Sequence, residues 1–181
     1  MSRIPLPDTK SVVAESPHLF DSLEISDLNV ASAAGNNPAA LAGILEYMSV
    51  LYADLSVVDR ELVILATARA LESEYEWHQH VAVAREAGIP MATVRAIGTE
   101  SLDDDTLDSR ERALLTFVFN QCLGVQTDEA VDALTDAYTT SEIATISLLA
   151  AHYTGIAQFI ESMALPLEDP FIGWEPTADL E

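Results

Sequence analysis

The sequence predicts an all-α protein, a compact bundle of about six or seven helices. Apolar residues recur at three- and four-residue spacing along most of the chain. Serine, aspartate, proline and glycine fall where helices start and stop. No stretch carries a strand signal, because Val12-Val13 and Val57-Val58 are too short and too poorly flanked.

Residues 1–17 contain Pro5, Pro7 and Pro17 and read as an extended N-terminal arm. Residues 18–165 form a single helical domain, and residues 166–181 an acidic, proline-containing tail. Within the domain, a weak helix over 18–35 ends at Gly35 and two asparagines. Pro38 starts a helix to about Ala53, with Leu41, Ile44, Leu45 and Met48 on its apolar side. Ser56 caps the next helix, whose first turn holds Asp59 and Glu61, where carboxylates suit the helix dipole.

Two helices meet near Ser73. Leu62, Leu65, Ala66 and Arg69 give the first an apolar face, and Trp77, Val81 and Ala84 the second. Ser73-Glu74-Tyr75-Glu76 has the pattern of a capping box, in which Ser73 and Glu76 exchange side-chain and backbone hydrogen bonds. Gly88 supplies a left-handed stop, and Pro90 opens a short helix to Ile97. An acidic linker at 101–105 precedes helix 107–123, which Gly124 ends, and helices 127–137 and 140–163 follow. Arg110-Glu111-Arg112-Ala113-Leu114-Leu115 echoes Arg60-Glu61-Leu62-Val63-Ile64-Leu65, either as an old duplication or as two amphipathic helices of similar composition.

At 181 residues and 49% hydrophobic composition, one globular domain with a real core is expected. Thirty acidic residues stand against eight basic ones, a formal net charge of −22, and Lys10 is the only lysine. Nucleic acid and anionic membrane, which need a positive surface, are excluded as partners. Self-repulsion at this charge calls for screening, and the Debye length falls to about 3 Å at 1 M salt, so the surface reads as halophile-type. The single cysteine, Cys122, rules out an intramolecular disulfide framework and reads as a buried, inert thiol. No long apolar leader or run of about 18 apolar residues is evident, which makes a cytoplasmic protein the default.

The ionisable residues able to do chemistry concentrate between residues 60 and 89. One continuous helix would hold Glu61 and His80 about 28 Å apart at ~1.5 Å per residue. Folding back at Ser73 would instead bring Glu61 beside Glu76 and His80, an i, i+4 pair on one face. Glu76 is then either a cap partner or an acid–base group, and His80 either its surface partner or the general acid–base. His78 points to a different face from His80, and Glu72 precedes the cap, so no metal site is expected. Trp77 belongs to the core, to a subunit contact or to a pocket wall, with Tyr75 lining the same space. Arg69, Arg60 and Arg85 are the cations able to hold a substrate carboxylate, or else to pair with one of the many acids.

At these residues the sequence resembles the carboxymuconolactone decarboxylase family, which includes the alkylhydroperoxidase D-like proteins. The resemblance rests on the Arg60-Glu61 pair, the Tyr75-Glu76-Trp77 run, His80 and the Ala84-Arg85-Glu86-Ala87-Gly88 ending. It extends more loosely over residues 38–165. Glu61 and His80 match the family glutamate and histidine, while Ser73 and Glu76 stand where the peroxidase branch has two cysteines.

The resemblance implies an alkylhydroperoxidase D-like helical fold and a homo-oligomer, trimer or hexamer. It also implies proton transfer on a small lactone or carboxylic acid rather than dithiol chemistry, which needs an attacking thiolate and a resolving thiol. On this reading His80, Glu76 and Glu61 are the catalytic residues, and Trp77, Tyr75, Ser73 and Arg69 contact the substrate. N–H groups at Ser73 to Glu76 receive the developing negative charge. No cofactor is required. A peroxidase working through Cys122 and a non-catalytic helical oligomer that binds a small molecule are the alternatives.

Overall fold

The computed structural model describes residues 2–7, 28–103 and 105–176. Residues 8–17 of the expected arm, residues 18–27 of the weak first helix and the last five residues of the tail lie outside this range. Among the described residues are eight helices and no strand: α1 (Asn29–Ala34), α2 (Pro38–Asp54), α3 (Val57–Ala70), α4 (Glu74–Glu86), α5 (Met91–Gly98), α6 (Ser109–Leu123), α7 (Asp128–Ala137) and α8 (Thr140–Met163). The all-α class is therefore observed, and the eight helices among the described residues slightly exceed the expected six or seven.

The described residues group into two units, one formed by those up to Val50 with Gln158–Pro170, the other by Leu51–Ala157 with those from Phe171. In the first, Arg3 donates its backbone N–H to Met163 O at 2.8 Å, and Asn36 Nδ2 donates to Pro5 O at 2.8 Å. Asn29 N donates to Glu168 Oε1 at 2.6 Å. Ala31, Ala33, Leu41, Leu45, Ile160 and Leu165 are buried apolar side chains of this unit.

The second unit is built around α3. The sequence suggested one apolar face for this helix, yet every residue from Glu61 to Ala68 is buried. A helix that is apolar all round belongs inside, and α3 packs against α4, α5 and α6. Its N-terminus is held by Asp59, which accepts from Ser56 Oγ (2.7 Å), Tyr138 Oη (2.7 Å) and Arg110 Nη2 (2.9 Å). The Arg110 guanidinium also lies 3.8 Å over the Tyr138 ring. Burial opposes ionisation of Asp59, but these hydrogen bonds outweigh it and hold the carboxyl below its ordinary range. The Arg110-Glu111 echo of Arg60-Glu61 thus has a different role: Arg110 binds Asp59, and Glu111 completes a capping box with Asp108.

The fold-back after α3 has another cause than the one the sequence suggested. Ser73 N donates to Ala68 O at 2.8 Å and Glu72 N to Arg69 O at 3.1 Å, with Glu72 at φ 53. This is a Schellman ending with glutamate in the left-handed position usually given to glycine. Because the Ser73 N–H is spent on Ala68, Glu76 has no cap donor to reach, and Ser73 makes no side-chain cap bond. The same ending closes α4 at Gly88, as expected, and Pro90 then sits one residue before α5 rather than inside it.

Helix α8, with 24 residues, is long and apolar enough by length and composition to cross a membrane, a property the sequence reading missed. Its Ile146, Leu149, Ala150 and Tyr153 face the core of the second unit, as in a core helix. Residues 171–176 also return to this unit. Phe171 and Trp174 pack edge-on at 5.2 Å, Trp174 meets Trp77 at 5.4 Å, and Trp77 Nε1 donates to Gly173 O at 2.9 Å.

Candidate active site

Glu61 lies in the second turn of α3 and His80 near the middle of α4, and the Schellman reversal sets them side by side. The His80 Nδ1–H donates to Glu61 Oε2 at 2.7 Å. Arg60 Nε donates to the other carboxylate oxygen at 3.1 Å, so both oxygens of Glu61 are occupied. One helical turn before His80, Glu76 Oε2 stands 3.7 Å from His80 Nε2, beyond hydrogen-bond length. The imidazole therefore has a carboxyl group at each nitrogen, one tightly bonded and one held off. The Glu61, Glu76 and His80 side chains are 1%, 6% and 16% exposed.

Electrostatics divides the roles of the two carboxyls. Burial raises the Glu76 carboxyl to about 7, with His80 pulling in the opposite direction. Glu61 is equally enclosed, but the His80 and Arg60 cations outweigh burial and hold it below its ordinary value. For His80, burial disfavours the cation, and Glu61 followed by Glu76 overcomes it, so the imidazolium persists above its usual pKa. Near neutrality the favoured state is an ionised Glu61, a protonated His80 and a Glu76 close to its midpoint.

These shifts have a consequence for stability. Glu76 and His80 are raised, so the folded state keeps protons that the unfolded chain gives up: the Glu76 contribution falls as pH rises from about 4.5 through 7, and the His80 contribution is lost only above its ordinary 6.5. Glu61 is lowered, so its contribution is present above its unfolded pKa and is lost as pH falls through the folded one. Thermal melts in molar salt should peak between about pH 5 and 6.5. Glu76→Gln should flatten the alkaline limb, and an unchanged limb would contradict the assignment of that limb to Glu76.

Two residues not singled out in the sequence complete the group. Tyr52 Oη and Tyr153 Oη lie 2.5 Å apart. The Tyr153 ring stands edge-on to His80 at 5.3 Å, and the Arg60 guanidinium lies 4.1 Å over the Tyr52 ring. Tyr153 adjoins His152 in α8, but nothing local in the sequence links it to Tyr52.

Other expected contacts lie elsewhere. Trp77 is fully buried and committed to Gly173 and Trp174. Arg69 donates to Gly98 O at 2.7 Å, pairs with Glu100 at 2.6 Å and stacks on Trp174 at 4.9 Å. Arg60 is instead the arginine beside the imidazole. Tyr75 is buried one position from Glu76, and so 100° around the helix from it. Of the N–H groups expected to receive negative charge, Ser73's goes to Ala68 O and Glu74's to Glu72 O. Cys122 touches Thr67 and Thr154, and burial pushes its thiol up. Among the described residues no cluster of His, Cys, Asp or Glu is arranged to hold a metal ion.

The helical unit thus sets a glutamate on one helix against a histidine on the next. Residues 38–100 match the carboxymuconolactone decarboxylase family model. The match covers about a third of the chain's 181 residues, from α2 through α5. Among solved structures it is similar to an alkylhydroperoxidase AhpD core, an uncharacterized peroxidase-related protein from Ralstonia eutropha. The TM-score is 0.75 at 17% identity, covering 97% of this chain and 98% of that one. It is also similar to the debrominase Bmp8 in complex with 2,3,4-tribromopyrrole (TM-score 0.73, 17% identity, 92% and 90% covered) and to apo Bmp8 (0.72, 17%, 92% and 91%). At this identity the likeness concerns the fold. No curated protein matches the chain.

Proposed function

We propose that this protein is a carboxymuconolactone decarboxylase-like enzyme that performs acid–base chemistry on a small lactone or carboxylic acid. The observation that carries the reading is His80, held at Nδ1 by Glu61 and facing the protonatable Glu76 at Nε2. Glu61 fixes the ring and favours its protonated form, leaving Nε2–H as the group that meets substrate. Arg60, with Nε on Glu61, has two terminal NH₂ groups suited to a substrate carboxylate.

In a decarboxylation, the bond between the carboxylate carbon and the lactone α-carbon breaks and carbon dioxide leaves. The electron pair delocalises onto the lactone carbonyl as an enolate. His80 Nε2–H then protonates the α-carbon, and Glu76, poised near neutrality, returns a proton to the imidazole before being reprotonated by solvent. The balance is one carboxylate and one proton in, one C–H bond and carbon dioxide out. Thiol chemistry is disfavoured, because Ser73 and Glu76 occupy the cysteine positions and Cys122 is held as a thiol.

The test is carbon dioxide release and deuterium incorporation, followed by NMR at high salt with a carboxymuconolactone-type acid. His80→Ala should lower turnover by about 10²–10⁴-fold. Turnover unchanged in the variant would remove His80 from the mechanism, and none in the parent would remove this substrate class.

A further inference from the structure

We propose that the Tyr52–Tyr153 hydroxyl pair is the oxyanion donor of this site, binding the enolate or phenolate-like oxygen of the substrate through a neutral O–H group. The assignment rests on the acid–base reading above for its place in catalysis, and on separate observations for its chemistry.

Loss of carbon dioxide places negative charge on an oxygen, and in this group two carboxyls already make anions costly. The Ser73 and Glu74 N–H groups are spent on Ala68 and Glu72 carbonyls, and Arg60 Nε is spent on Glu61. Beside the imidazole, the tyrosine pair offers two further hydroxyl groups. With the hydroxyls 2.5 Å apart, one proton lies between the two oxygens and the other is left to donate outward. Neither Glu61 nor Glu76 accepts it among the described residues: the Glu61 oxygens take Arg60 and His80, and Glu76 faces His80. A hydroxyl that accepts one short hydrogen bond donates the next one more strongly.

Position supports the same role. The Tyr153 ring packs perpendicular to His80, the group that would protonate the adjacent carbon. Tyr52 lies under Arg60, the cation suited to the substrate carboxylate. Acid, carboxylate anchor and hydroxyl donor are thus neighbours, an arrangement suited to a substrate carrying a carboxylate close to a carbonyl oxygen. Burial and the nearby carboxylates push Tyr52 up to about 12 and Tyr153 well above its usual value, so both stay protonated donors over the working pH range.

The probe is 4-nitrophenol, whose phenolate absorbs distinctly and mimics an enolate oxygen without needing turnover. In molar salt the full chain should bind the phenolate and shift its absorption band. Tyr52→Phe and Tyr153→Phe should each weaken binding at least tenfold and reverse the band shift, with the far-UV spectrum retained. Should Tyr153→Phe fail to fold, the half-buried Tyr52→Phe alone decides. No binding by the parent, or equal binding by the Tyr52→Phe protein, overturns the assignment. Phenolate binding lost in the variants, with no turnover of any lactone acid, keeps the oxyanion donor and rejects the decarboxylase reading instead.

Discussion

Glu61→Leu is expected to cost about 3–5 kcal/mol of folding stability and at least ~10²-fold in turnover. Leucine approximates the volume, so the loss is electrostatic. Glu61 is 1% exposed and accepts from both His80 and Arg60, and its removal leaves a buried imidazole without the partner that favours its charge. Urea denaturation at about pH 6 measures the first effect, and the high-salt turnover assay the second. Adding His80→Leu should recover part of the lost stability, because two apolar side chains in contact avoid the unpaired polar group. A Glu61→Leu protein as stable as the parent would show that the pair does not stabilise the fold.

Gly98→Ala should have the next largest effect, about 1–3 kcal/mol. A Cβ at Gly98 would lie 1.8 Å from Trp174 O, 2.9 Å from the Trp174 carbonyl carbon and 3.1 Å from the Trp77 ring. The first two are backbone atoms and no rotamer change clears them. Either α5 shifts or residues 171–176 lift away, losing the Trp174 contacts with Trp77, Phe171 and Arg69. The variant should melt earlier and be trimmed faster at its C-terminus by a nonspecific protease. Identical melting and trimming would refute this close packing.

The helical class was legible because its signals are local. Ser56, Gly88 and Gly124 each act on their own turn, and the structure finds Ser56 capping α3 and both glycines left-handed. Glu76 and His80 were legible as an i, i+4 pair, and Glu61 because only a fold-back gave it a partner. The cause of the fold-back was not legible. A Schellman ending on Glu72 lacks its usual glycine, while Ser73-Glu74-Tyr75-Glu76 offered a plausible capping box that competed for the same backbone N–H.

Contacts distant in sequence were hidden as well. Tyr52 and Tyr153 are 101 residues apart, and no periodicity joins them. Trp77 and Arg69 looked like substrate contacts because they neighbour the motif, yet their partners, Gly173 and Trp174, come from the far end of the chain. In sequence Arg110 belongs to an echo of Arg60, and its structural role depends on Asp59 and Tyr138, each on another stretch of chain.

The chain has two tryptophans, and both belong to one contact, with ring centroids 5.4 Å apart. Tryptophan emission is therefore a single-locus signal here, reporting the seating of residues 171–176 on α4 and α5. An unfolding curve followed by tryptophan emission records the release of that segment, whereas far-ultraviolet ellipticity records all the helices. Coincidence of the two curves would mean that the segment and the helices around Glu61 and His80 melt together; an earlier emission transition would mean that the segment comes away first.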